Sequence, residues 1–381
     1  MSAAPPDPGS RPDASAGRDA PVSIAVVGGA FAGNLHAEAI SLTRSARVCA
    51  GVARSAASRA DFATRWGVPS YPSLTELIED RLAGDIACDA ISLAVPNALH
   101  RQMTEQAAEA GLSVICEKPL APTYADAQAM VRACAEAGVH LLYAEQLCFA
   151  PRYQRVKRMI DAGTFGQLVQ IQHWERHGGP HAQWFYDPQQ SGGGVLLDMG
   201  CHGIGVARWL KDDVPVVEVS AQLGTFAHRE HRVEDHSLVT LRFADDTIAV
   251  IDSSWAAPGG IDERLEVLGT QGHVMADLAR GQSMLAYSDA GFDATAEKVV
   301  QQAGLSWIAH DEAWTWGWHG EFAHFAEVLA GRAQPLLTGA DGLEVLGIVS
   351  AAYLAAAEHR VVTPPWPTGD HLVVQPWLDR T

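Results

Sequence analysis

Two hydrophobic patterns divide this chain. From Pro21 onward, short runs that are apolar at nearly every position alternate with segments of helical period. The runs are VSIAVVGG (22–29), ARVCAGVA (46–53), DAISLAVPN (89–97), LSVICEKP (112–119) and VHLLYAEQ (139–146). A strand buried on both faces of a parallel sheet requires such continuous apolarity. Between them, residues 33–45, 58–67, 74–80, 100–110 and 125–137 read as helices, with Gly67, Gly111 and Gly138 as stops. This alternation predicts right-handed βαβ units and an open parallel sheet.

Past Phe149 the pattern changes. One more helix is predicted over 151–162. Then QLVQIQHWERH (167–177), VVEVSAQLG (216–224), SLVTLRFA (237–244), TIAVIDSSW (247–255) and RLEVLGTQG (264–272) alternate with period two. Asp245-Asp246 and Gly259-Gly260 supply turn signals between them. Such alternation predicts antiparallel strands with one face solvated or covered by a partner. The segment SGGGVLLDMGCHGIGVARWL (191–210) reads as a helix led by glycines, and 339–359 as a last helix.

Composition narrows the function classes. The 381 residues are 48% hydrophobic and 19% charged, an ordinary globular balance. The net charge of −18 repels phosphate backbones and anionic lipid, which argues against nucleic-acid and membrane-surface partners. The six cysteines form no C-x-x-C pair, a usage that fits a reducing compartment and a cytoplasmic protein. No apolar run approaches the ~20 residues of a membrane span. Residues 1–20 are rich in Pro, Ala, Ser, Asp and Gly, lack a signal-peptide core and read as a disordered tail.

The first apolar run ends in Gly28-Gly29-Ala30-Phe31-Ala32-Gly33, just before a predicted helix. Glycines in that context form the phosphate turn of a dinucleotide fold: Gly28 for the tight turn, Gly33 for close helix–strand contact, and the helix N-terminus for the pyrophosphate. Ala30 replaces the middle glycine, and its methyl crowds the pyrophosphate. The second run ends in Ala53-Arg54-Ser55. A carboxylate there would hold a ribose 2′-hydroxyl; an arginine suits a 2′-phosphate. The expected cofactor is therefore NADP(H), with NAD(H) as the alternative. The fold class is α/β: an N-terminal Rossmann dinucleotide-binding domain over 21–147, and a C-terminal α+β domain with a large, mostly antiparallel open sheet over 148–381.

Several segments in order resemble the glucose–fructose oxidoreductase / inositol dehydrogenase (Gfo/Idh/MocA) family. They are the glycine loop with His36 behind it, AVPNALH (94–100), CEKPLA (116–121), EQLCFAPRYQRVKRMIDAGTFGQL (145–168) and the 191–210 segment. The resemblance spans roughly 22–360. It implies that Lys118 lies beside the nicotinamide, that Asp198 and His202 meet the substrate, and that Pro96, Asn97 and His100 belong to the loop lining the cofactor, with Glu117 beside Lys118. It also implies a possible cis bond before Pro119, and association through the outer face of the second sheet, as a homodimer or homotetramer. The residues support the site independently. Asp198 and His202 are i,i+4 on one predicted helix and so share a face. Lys118 ends a strand at the carboxyl edge where open α/β sheets bind ligands. In this reading His202 is the base, Lys118 polarises the oxygen or relays its proton with a lowered pKa, and Asp198 orients the imidazole or binds a hydroxyl.

A second polar cluster lies in HWERHGGPHAQWFYDP (173–188). His173, Glu175 and His177 share one face of an alternating strand. Glu175, His181 and Trp184 are candidate contacts for a sugar or polyol. A divalent ion held by Glu175, His181 and His202, with Asp198, is the sharper variant, but no ligand spacing supports it and no metal is assigned. His173 and His177 also fit a polar strand surface. WTWGWHGEFAHF (314–325) reads as packing, with His319 as its one candidate for the pocket. The reading is thus an oxidoreductase for the CH–OH or ketone group of a small carbohydrate-like substrate: a sugar, cyclitol or related polyol. Two alternatives stand beside it: a lyase or glycosidase-type enzyme using bound nicotinamide for transient oxidation, and a sensor or scaffold protein without cofactor.

Overall fold

The computed structural model describes residues 20–212, 214–279, 284–291, 303–308 and 312–380. The predicted N-terminal tail, apart from Ala20, lies outside the described residues. The first half contains strands β1 (Val22–Val27), β2 (Ala46–Val52), β3 (Ser70–Tyr71), β4 (Ala90–Leu93), β5 (Ser113–Glu117) and β6 (Leu141–Ala144). They form one parallel sheet in the order β3-β2-β1-β4-β5-β6. β1 and β4 are buried at every position, as continuous apolarity demands. The two-residue β3 has no period of its own, so the five predicted strands miss it.

Helices α1 (Phe31–Ser41), α2 (Ala56–Trp66), α3 (Leu74–Ala83), α4 (His100–Glu109) and α5 (Tyr124–Ala137) connect these strands. Local chemistry fixes most of their ends. Ser55, Ser73 and Thr123 accept main-chain N–H bonds at the starts of α2, α3 and α5. The same three helices stop at Gly67, Gly84 and Gly138, each in the left-handed region. α1 differs, because Ala30 offers no side-chain cap and the first N–H groups stay open.

The second half adds α6 (Pro151–Asp161), β7 (Leu168–Arg176), α7 (Pro188–Ser191), α8 (Cys201–Leu210), β8 (Val216–Gly224), β9 (His236–Phe243), β10 (Ile248–Ser254), β11 (Asp262–Gly269) and β12 (Gly272–Asp277). Strands β13 (Met284–Ser288) and β14 (Gly304–Ile308) make a separate hairpin ladder, and α9 (Glu312–Thr315), α10 (Trp318–Leu329), α11 (Gly339–Glu358) and α12 (Gln375–Leu378) follow. The large sheet runs β12-β11-β7-β10-β9-β8. It is antiparallel except for one parallel pair, β7 with β10. Alternation predicts strand and face but not direction, so this pairing was not legible. β9 alternates buried and half-buried positions along its whole length, and β7 and β10 beside it carry α8.

Two sequence expectations need correction. The 191–210 segment is not one helix. It is the short α7, a glycine turn, one π-helical turn at Leu196–Gly200 and then α8. In addition, α11 has 20 residues and the apolarity of a membrane span, contrary to the reading that no run approaches that length. Two thirds of its most apolar stretch is buried inside the protein, where it packs on α5, α8 and β8. Its hydrophobicity on most sides is that of a core helix.

Candidate active site

A cleft of about 230 Å³ lies where the two halves meet. One wall comes from the carboxyl ends of the first sheet: Ala30–Ala32 after β1, Ala94–Asn97 after β4, and Glu117 and Lys118 at the end of β5. β1 and β4 flank the point where the strand order reverses, which is where open α/β sheets bind ligands. The glycine turn there is built on contact. A Cβ on Gly28, at φ 120°, would stand 2.0 Å from the Ala94 carbonyl oxygen, and one on Gly33 would stand 1.9 Å from that of Gly28. Only glycine fits at either place. Ala30 is exposed at the cleft edge, so its methyl does not close the turn.

The second wall joins four buried polar side chains, Glu175, His177, Asp198 and His202, to the exposed His181 and the half-buried rings of Trp184 and Phe185. His173 and His177 are buried, not surface residues of the strand. Phe31 from the first wall stacks on His181 from the second, with ring centroids 4.5 Å apart. Trp316 and Trp318 also line the cleft, so the Trp-rich segment does more than pack. His319 does not line it and lies tilted against Trp314 instead.

Asp198 and His202 both face the cleft but do not pair with each other, because the intervening π-helical turn shifts their relative position. Asp198 accepts from Lys118 Nζ at 3.1 Å and from Trp255 Nε1 at 3.3 Å. His202 Nδ1 lies 2.6 Å from Glu145 Oε1. The residue that orients the imidazole is therefore Glu145, not Asp198. Glu145 follows β6 at the carboxyl edge of the sheet, and that placement, with its position at the head of the 145–168 segment, was the signal that could have singled it out.

The charges follow from burial and pairing. Burial alone would lower the Lys118 ammonium, but Asp198 and the other acids around it outweigh that effect. Its pKa is held above the ordinary lysine range, opposite to the expected direction. Burial alone would raise the Asp198 carboxyl; the Lys118 ammonium, with His177 and His181, holds it below the usual carboxylate range. Glu117 is likewise kept ionised against burial by His36, whose Nε2 lies 2.8 Å from it. Burial pushes the Glu145 carboxyl up to about 8. Burial and then the Lys118 charge pull the His202 imidazole well below its ordinary value. Burial, with Glu263 beside it, raises Glu175 well above the carboxylate range and so favours its protonated form.

Other predicted residues sit elsewhere. His100 is fully buried; its ring nitrogens lie 3.2 Å from the Leu120 carbonyl oxygen and 3.0 Å from that of Val95, so it braces the cleft loops from behind. Asn97 lines the cleft and donates to the Ser191 carbonyl, tying the β4 loop to the second wall. Arg54 is exposed past the end of β2 and does not line the cleft. The predicted metal set is not gathered either. The group of potential ligands that comes together is His173, Glu175 and Glu263. His173 Nε2 and the Tyr153 hydroxyl both lie within 3.0 Å of Glu263 Oε1.

Comparison with known proteins agrees with this geometry. Residues 22–145 match the oxidoreductase family, NAD-binding Rossmann fold, and residues 153–275 match the GFO/IDH/MocA C-terminal domain. The chain is 30% identical over 306 residues to a 1,5-anhydro-D-fructose reductase of Ensifer adhaerens, covering 80% of this chain and 86% of that one. It is 29% identical over 301 residues to a D-xylose 1-dehydrogenase [NADP(+)] of Haloarcula marismortui, covering 75% and 77%. The crystal structure of GenD2 from gentamicin A biosynthesis in complex with NAD superposes with a TM-score of 0.83 at 30% identity, covering 93% of this chain and 99% of that one. With the phosphate turn, the Lys118–Asp198 pair and the His202 dyad in one cleft, the chain belongs to the Gfo/Idh/MocA family of NAD(P)-dependent oxidoreductases.

Proposed function

We propose that this enzyme interconverts a secondary alcohol and a ketone on a sugar, cyclitol or related polyol, with His202 as the acid–base residue. The observation that carries the reading is the buried Glu145–His202 dyad facing the Lys118–Asp198 pair across one cleft. The relatives named for D-xylose and 1,5-anhydro-D-fructose support the substrate class.

The residues of the first wall fit a dinucleotide: the turn that only glycine can make, and the uncapped start of α1 with the N–H groups of Phe31, Ala32 and Gly33. When bound, the nicotinamide accepts or gives the hydride. The protein does the rest. With Nδ1 held by Glu145, Nε2 is the ring nitrogen left to take the hydroxyl proton. Lys118, kept cationic by Asp198, polarises the substrate oxygen and stabilises charge building on it. Glu175, protonated, donates to a neighbouring hydroxyl, and Trp184 and His181 supply ring surface for the carbohydrate. Pro96 and Asn97 shape the nicotinamide side.

The cofactor in this reading is NADP(H), with NAD(H) as the alternative. Arg54 and Arg59 stand together where a ribose-binding carboxylate would otherwise be; Arg59 donates to the Ala53 and Arg54 carbonyl oxygens. We also propose a division of the chain near residue 147 and a cytoplasmic homodimer or homotetramer. Exposed Leu268 and Met275 on the outer face of the large sheet support that contact. A thermal-shift panel of NAD⁺, NADP⁺ and their reduced forms tests the proposal, followed by a sugar and cyclitol screen with the stabilising cofactor. NADP⁺ should raise the melting temperature most, and at least one polyol should drive nicotinamide reduction. No shift with any dinucleotide would overturn the reading. Turnover without a net change in nicotinamide absorbance would favour the transient-oxidation alternative.

A further inference from the structure

Behind the cleft, on the other side of α8, lies a second cavity of about 250 Å³. Tyr143, Gly205, Arg208, Asp341 and the carboxylate of Glu145 line it. Glu145 therefore connects two spaces. Its Oε1 touches His202, which lines the front cleft, while the residue itself lines the rear cavity. Its Oε2 and the Tyr143 hydroxyl are buried and make no hydrogen bond among the described residues. Gly205 faces that oxygen: a Cβ there would stand in ordinary contact, 3.5 Å from Oε2 and 3.4 Å from Cγ, so a larger side chain at this position would cover it. A polar cavity of this size takes several ordered waters, since one occupies only ~30 Å³ of liquid volume. Unpartnered buried oxygens are where such waters bind.

We propose that Glu145 and the rear cavity are the proton path of this enzyme, so that the proton of the reaction leaves behind α8 and not through the cleft. The inference rests on the reading of His202 as the base. In the oxidative direction the substrate O–H bond breaks and its proton goes to His202 Nε2, while the carbon gives its hydride to the nicotinamide. The proton on Nδ1 passes to Glu145 Oε1, and the proton on Oε2 passes to cavity water. Each group gains one proton and loses one, and one proton reaches solvent per hydride transferred. The front cleft, covered by cofactor and substrate during the reaction, then needs no water channel. Glu145 acts through His202 and is a positioning residue as well as the carrier. The charged and titratable groups facing it are Lys118 and Glu117 from β5 and its end, His173 from β7, His202 and Arg208 from α8, Glu321 from α10 and Asp341 from α11.

The test uses the full chain in two measurements. The first needs no substrate. Infrared difference spectra at pH 6 between wild type and Glu145→Gln should isolate one protonated carboxyl band. Its exchange into D₂O should be as fast with saturating NADPH or NADH as without, and Gly205→Val should slow it about tenfold or more. Absence of the band, or exchange blocked by the cofactor alone, overturns the path. The second uses the polyol that the screen selects. Glu145→Gln should lower kcat about tenfold or more, within the range of acid–base contributions. The KM should change less than about twofold, and the solvent isotope effect should rise. Formate should rescue Glu145→Ala in proportion to its concentration and fail to rescue it once Gly205→Val is added. If Glu145→Gln keeps wild-type kcat and pH profile while His202→Gln is inactive, the path is wrong and the base reading stands. If His202→Gln itself remains active, the base reading is what fails.

Discussion

The two walls of the cleft are built by different physics. The first wall is backbone: a glycine turn, the open end of α1 and the loops after β4 and β5. At its turn, side chains matter mainly by being small, as the 2.0 Å and 1.9 Å clashes of a Cβ at Gly28 and Gly33 show; Lys118 at the end of β5 is the charge it lends to the second wall. The second wall is side chain. Asp198 and His202 are both buried, and each finds its partner on an element distant in sequence, Lys118 and Glu145 respectively. The first wall can recognise a ligand by shape and by main-chain N–H groups, whatever the ligand's chemistry elsewhere. The second holds protons and charge in fixed places, which is what a reaction requires.

Substitutions should separate the walls. The largest effect is expected on the second. His202→Asn should lower kcat about 10²–10⁴-fold, the usual worth of a positioned acid–base group. Titration of NADPH fluorescence should show its affinity changed by less than about twofold. A parallel loss of affinity would mean that the walls are not separate. On the first wall, Gly28→Ala forces a methyl into the Ala94 carbonyl and should cost about 2–4 kcal/mol of stability. Chemical denaturation measures it, and dinucleotide binding should fall with it.

The pH dependence sharpens the second wall. The Glu145 carboxyl titrates near about 8. Below that pH the dyad is protonated and neutral and the relay must release the Oε2 proton; above it, a carboxylate behind His202 takes the Nδ1 proton directly, releases it to the rear cavity afterwards, and makes the imidazole a stronger base. Oxidation should therefore quicken as pH rises toward and past this value, by at most about tenfold per unit, while ketone reduction slows. Initial rates in both directions from pH 6 to 9 decide it; parallel profiles would contradict the dyad. Next, Arg54→Asp should shift the NADP⁺/NAD⁺ ratio of kcat/KM toward NAD⁺ by about tenfold or more if Arg54 holds the 2′-phosphate as proposed, since a carboxylate would repel that group. An unchanged ratio would remove Arg54 from the cofactor site. The smallest effect is Ala30→Gly, expected to tighten dinucleotide binding only about threefold or less, because the methyl is already exposed.

The same contrast explains what could be read in advance. The parallel sheet followed from unbroken apolar runs, and the phosphate turn from glycines between a strand and a helix. Both are local signals. Lys118 was legible for the same reason: it ends a strand at the edge where ligands bind. The pairing of Asp198 with His202 was expected from i,i+4 spacing and did not form. A π-helical turn inside a glycine-rich segment leaves no periodic trace, so the spacing misled. Glu145 was passed over although it opens the 145–168 segment, because that segment marks the family and not the partner of the side chain. Its role depends on α8 crossing the end of β6. The Lys118 pKa was expected to fall because burial and the cationic nicotinamide ring were counted and the Asp198 partner was not.

Sequence by itself determined the α/β first half, the alternating second half, the dinucleotide turn and the residue types that chemistry would use. Each of these depends on neighbours within a few positions, which periodicity and backbone sterics control. Tertiary structure alone decided which acid stands behind which imidazole, which charges survive burial, and that the acid behind His202 also lines a rear cavity. Those outcomes turn on distances of about 3 Å between groups many residues apart, and in a buried, weakly screened interior such distances set where protons sit.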